Sequence, residues 1–127
     1  MAPNLPTTLL DFIHECVPTY QAAEVLLFFA AHPDCDFSAE DIVVAMRPVV
    51  ITVHAIEEYT SLFADKGLIW LAHGRYRYGP STARLERGIN ELANAYNEKP
   101  VTLIHAIYRI ADSKIQSFAD SFQLRKD

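Results

Sequence analysis

Residues 56–80 read "IEEYTSLFADKGLIWLAHGRYRYGP", and this stretch constrains the fold more than any other part of the chain. Ile56, Tyr59, Thr60 and Phe63 stand 11, 8, 7 and 4 positions before Gly67, which is the spacing of one helical face. Thr60 is its one weakly apolar member. Gly67 sits where a helix C-terminus wants a residue in the left-handed region. "LIWLA" then reads as a strand, "HGR" as a tight turn and "YRYGP" as a returning strand closed by Pro80.

The flanking sequence reads as helix. Thr7 or Thr8 is the candidate cap of a helix reaching Cys16, with Leu9, Phe12, Ile13 and Cys16 on one face. Pro18 ends it. A second helix covers Tyr20 to Ala31, with Ala23, Leu26, Leu27 and Ala30 at helical spacing. It stops at "HPDCD". Ser38 is a good N-cap for "FSAEDIVVAM", with Asp41 in the first turn and Ile42, Ala45 and Met46 as the apolar stripe. "RPVV" breaks that helix, and the next spans Thr52 to Lys66. After Pro80 a helix runs from Ser81 to Asn97, with Leu85, Ile89, Leu92 and Tyr96 facing one way. "NEKP" is a break, and a last helix begins at Val101.

This order of elements resembles a winged helix-turn-helix, and the stretch Gln21 to Pro80 is similar to MarR-like and related bacterial regulators. In the second half, "RYRYGP", "LANAY" and "SFADSFQLRKD" resemble a group of small bacterial winged-helix proteins with a "FAD-x-F-x-LRK" tail. The resemblance implies a mainly α (α+β) fold: a winged helix-turn-helix over 20–80 with a two-stranded wing, an N-terminal helical extension over 1–19 and C-terminal helices over 81–127. It transfers no site, because winged helices also serve as protein-docking modules.

By the resemblance, the third helix of the motif would enter the DNA major groove. The matching positions are Thr52, His54, Ala55, Glu57, Glu58, Ser61 and Leu62. Two adjacent glutamates, with no Arg or Lys between Pro48 and Asp65, suit a phosphate-lined groove poorly, although one glutamate can accept from cytosine. From Tyr20 to Pro80 eight acids face four bases, leaving −4. The whole chain carries −5 with a pI near 5.4, which argues against binding nucleic acid mainly through phosphates. The wing offers Arg75 and Arg77 on one strand face, with Tyr76 and Tyr78 on the other. Two readings stand for the arginines: they reach DNA, or they are solvated or pair with nearby acids while the tyrosines pack on the core.

The last helix carries Ile104, Tyr108, Ala111, Ile115, Phe118 and Phe122, spaced 4, 3, 4, 3 and 4, a heptad seam. Leu103, Ile107 and Ile110 widen the stripe. The helix therefore packs on more than one neighbour, and a homodimer through the terminal helices is the expected partner arrangement.

His14, Cys16, His32 and Cys35 make a possible zinc set, but the cysteines flank the helix Tyr20 to Ala31. Its 12 residues span about 18 Å, so one ion cannot bridge its ends. No metal or cofactor is expected. The chain has no glycine-rich phosphate loop, nucleophile elbow or HExxH motif, so catalysis is not expected either. Two cysteines and an N-terminus without signal-peptide character point to the cytoplasm, and no apolar run is long enough for a bilayer. The expectation is a small non-enzymatic winged-helix regulator in transcription control, acting largely through protein contacts. The alternative is a dimeric, sequence-specific DNA-binding regulator.

Overall fold

The computed structural model describes the backbone of residues 5–126 and the side chains of residues 5–115. The fold is mainly helical α+β with a small antiparallel sheet. Its elements are α1 (Thr7–Cys16), α2 (Tyr20–Ala31), β1 (Asp36–Phe37), α3 (Ala39–Ala45), α4 (Val53–Asp65), β2 (Ile69–Ala72), β3 (Arg75–Tyr78), α5 (Ala83–Glu98) and α6 (Pro100–Lys126). The sheet has three strands in the order β1-β3-β2. The hairpin read from the sequence is present as β2 and β3, but the sheet is not two-stranded, because β1 adds a third strand on β3. β1 is only two residues long, too short for any alternation to register, and it exists because β3 offers it a partner.

Side-chain caps set most helix starts. Thr19, Ser38, Thr52 and Thr82 each accept a backbone N–H from the first turn of α2, α3, α4 and α5. At α3 the cap is reciprocal, because Asp41 also accepts from the Ser38 N–H at 3.1 Å; such a box satisfies two otherwise orphaned donors. α1 has no such cap: Pro6 holds that position, and Thr8 donates instead to the Glu91 carboxylate on α5 at 2.8 Å.

One continuous core runs through α1 to α6. α1 buries Leu9, Phe12, Ile13 and Cys16, the face expected for it. α2 is enclosed on several sides, so Ala22, Val25 and Phe29 are buried as well as Ala23 and Leu26. In α3 the buried residues are Ala39 and Ile42, with Met46 just beyond, while Ala45 of the expected stripe is exposed. α4 buries Ile56, Thr60 and Phe63. The Thr60 hydroxyl tolerates full burial because it donates to the Ile56 carbonyl at 2.7 Å; a satisfied hydroxyl avoids most of the desolvation cost. Gly67 ends α4 at φ 79°, as its position in the sequence requires. The hairpin turn places His73 and Gly74 at φ 56° and 74°, which matches the right-handed twist of the strands.

Candidate functional site

The surface singled out by the sequence is the outer face of α4. Thr52 does not project from it as a free hydroxyl, because its side chain accepts the Ala55 N–H at 3.0 Å. Ala55 is half-buried against the core and does not line the depression formed by the rest of the face. His54, Glu57, Glu58 and Ser61 are exposed. With half-buried Leu62 and with Asp65 they line one open, shallow depression. His54 Nε2 lies 3.5 Å from Glu58 Oε2, one helical turn away. Three carboxylates on this face have no Lys or Arg among them. Their field repels a polyanion and favours cationic or neutral contacts. Two further apolar side chains, Val44 on α3 and Val50 in the turn before α4, are exposed.

The β2–β3 hairpin separates its residues as strand alternation requires. Trp70 faces Arg77 and Ala72 faces Arg75 across β2 and β3, and Asp36 faces Arg77 across β1 and β3. These side chains share the outer face of the sheet. Ile69, Phe37, Tyr76 and Tyr78 take the other face and pack on the core, and burial raises the Tyr78 phenol above its ordinary range.

Both arginines of β3 are engaged. Arg75 donates its Nε to Asp36 Oδ1 at 3.0 Å and its Nη2 to Asp41 Oδ2 at 3.1 Å. Arg77 donates to the Asp34 carbonyl at 2.9 Å. Asp41 is held below the usual carboxylate range, first by its Ser38 hydrogen bonds and then by Arg75. The Arg75 guanidinium is correspondingly raised, chiefly by its hydrogen bond to Asp36. The sequence held both alternatives for these arginines but did not name the acids. Those lie 34 and 39 residues earlier, and only the β1–β3 pairing brings them near.

Trp70 was also missed. Its indole is 66% exposed, yet it is seated. A Cβ on Gly79 would fall 2.0 Å from Trp70 Nε1, so the missing side chain is what lets the ring lie across the strand.

The remaining candidates separate. Cys16 is buried and Cys35 exposed, and burial pushes the Cys16 thiol up. Among the described residues no three His, Cys, Asp or Glu side chains converge to hold a metal ion, and no helix is long and apolar enough to cross a membrane. On α6, Ile104 and Ala111 are half-buried, Tyr108 and Ile115 are exposed, and Phe118 and Phe122 lie outside the described side chains. Comparison with protein-family models, with curated proteins and with solved structures finds no match.

Proposed function

We propose that the chain is a small winged helix-turn-helix regulator, without catalytic activity, that serves transcription control through protein contacts. The order α2-β1-α3-α4-β2-β3 supports the fold reading, since a helix-turn-helix followed by a hairpin is the arrangement the motif uses. The observation that carries the functional reading is the α4 face. The helix that would enter a major groove presents Glu57, Glu58 and Asp65 around Leu62, and one wing cation, Arg75, is already paired with two aspartates. An acidic rim around a partly exposed leucine suits a protein neighbour better than a phosphate backbone.

Direct, sequence-specific DNA binding is the second reading. Arg77 favours it, because its guanidinium bonds a neutral carbonyl and keeps its full charge for a phosphate, and Ser61 is an ordinary base-contacting residue. Titration of the protein with DNA fragments from its own locus, at low and at moderate salt, separates the two. A phosphate-contacting protein binds saturably and loses affinity steeply as salt rises. The protein-contact reading expects no saturable, sequence-dependent binding at either salt.

A further inference from the structure

The two edges of the sheet are built differently. β1 is two residues long, includes Asp36 and follows Pro33 and Asp34; shortness, proline and charge keep a sheet edge from pairing further. β2 forms the other edge and has none of these. Gly67 to Gly74 reads "GLIWLAHG", without a carboxylate, Lys, Arg or Pro. Half of its main chain is also unpaired. The Gly79 N–H donates to the Leu68 carbonyl at 3.1 Å, and the register sets Ile69 opposite Tyr78 and Trp70 opposite Arg77. Antiparallel bonds alternate along a strand. Leu68, Trp70 and Ala72 therefore turn their polar groups to β3, while Ile69 and Leu71 turn theirs outward. Among the described residues nothing bonds the outward N–H and C=O groups of those two. Trp70 and Leu71 are 66% and 56% exposed on opposite faces of the strand, so the edge is apolar above and below.

We propose that β2 is a docking edge for an extended, apolar segment of a partner protein, flanked by Lys or Arg, which adds a fourth strand to the sheet. This deepens the reading of the chain as a regulator working through protein contacts, on which it rests. The main chain says what covers the edge. Donors and acceptors spaced two residues apart are met by another extended backbone, whereas a helix has already used its own. Successive side chains of the added strand then fall beside Trp70 on one face and Leu71 on the other, so both positions call for apolar residues. Charge selects the flanks. From Thr52 to Ala72 the chain carries Glu57, Glu58 and Asp65 against Lys66 alone, and Asp65 stands four residues before Ile69. Arg75 and Arg77 are turned to the β1 side, where they bond Asp36, Asp41 and the Asp34 carbonyl. A cationic flank thus meets carboxylates at the α4 end of the edge. The β2 of a second copy lacks that complement, since it brings the same net charge of −5.

The fluorescein-labelled peptide KKTVIVTKK is expected to bind the full chain saturably, and the peptide EETVIVTEE about tenfold more weakly. Amide hydrogen exchange reads the pairing. The Ile69 and Leu71 amides, open in the free chain, should slow by about tenfold or more on saturation, while the Trp70 amide is protected throughout. Leu71→Pro removes an outward N–H and no ladder bond, a change an edge strand tolerates. It should weaken KKTVIVTKK by about tenfold more than Leu71→Ala does, with the helical circular dichroism unchanged. If Leu71→Pro loses that signal, Leu71→Lys, a charge of the kind that guards natural edges, replaces it and should abolish binding. Four results overturn the proposal: no saturable binding of KKTVIVTKK below about 1 mM, binding without slowed exchange at Ile69 and Leu71, equal affinity for EETVIVTEE, or a chain of twice the 14.3 kDa mass that Leu71→Lys returns to single. Failure of the peptide leaves the α4 reading standing, whereas saturable binding of locus DNA by a chain that also takes the peptide overturns the α4 reading alone.

Discussion

Arg75 Nη2 lies 3.1 Å from Asp41 Oδ2, so the β2–β3 hairpin is fastened to the first turn of α3. The same guanidinium holds Asp36 on β1. One side chain thus links three elements that are remote in sequence, and it does so on the surface where a DNA-binding wing would keep its cation available. Exposed ion pairs contribute little stability singly; the consequence here is positional.

Replacing Arg75 and Arg77 together by Ala is therefore expected to leave any residual affinity for locus DNA unchanged within about twofold, because loss of a true phosphate contact lowers affinity and reduces the salt slope by about 1 per contact. Fluorescence anisotropy at two salt concentrations measures this. A drop of about tenfold or more would falsify the protein-contact reading.

Gly88 fixes how closely α5 approaches α1. A Cβ there would lie 2.4 Å from Phe12 Cδ1, and Phe12 is buried, so the ring has nowhere to retreat. Gly88→Ala is expected to destabilise the fold by about 1–3 kcal/mol, the usual cost of overpacking a core, despite the better helix propensity of alanine. Urea denaturation with an unchanged slope reads the loss directly.

Asp41 contributes to the acid limb of the stability profile. Its carboxyl is held below its ordinary value of 3.8 in the folded chain, so the folded state binds its proton less readily than the unfolded state does. The stability it contributes is complete above that ordinary value and is lost as pH falls through the lowered one. Asp41→Asn should flatten the profile below about pH 4, the ordinary carboxylate range, and leave its shape at neutral pH unchanged. Denaturation midpoints measured from pH 2 to 7 test it.

Tyr20 contributes to the alkaline limb. Burial, followed by the neighbouring Tyr96, raises its phenol to about 12 from 10.0; the two rings stack with centroids 5.8 Å apart. A raised folded value means the contribution is present below pH 10.0 and is lost as pH rises toward 12. Tyr20→Phe should remove part of the stability decline in that window. Ultraviolet titration should show one fewer late-ionising phenol in the variant.

Much of the local structure could be read without coordinates. α4 and its terminating Gly67 follow from the spacing of Ile56, Thr60 and Phe63, because a helix that buries one face must repeat apolar residues near every 3.6 positions. The cap at Ser38 follows from a short polar side chain placed before an apolar run. The hairpin turn follows from "HG" between two apolar, aromatic-rich segments. These signals lie within a few residues of what they determine.

What the sequence left open was decided by contacts between distant residues. β1 is defined by Asp36 and Phe37 meeting Arg77 and Tyr76, and nothing local to two residues encodes a strand. The pairing of Arg75 with Asp36 and Asp41 and the seating of Trp70 over Gly79 depend on how helices and sheet close around one core. On α6 the sequence determined that two apolar stripes exist. Only packing against α1, α2 and α5 decided that Leu103, Ala106 and Ile107 are consumed, leaving Val101, Tyr108 and Ile115 outward. Periodicity specifies which side chains share a face; the tertiary structure alone assigns each face to core or solvent.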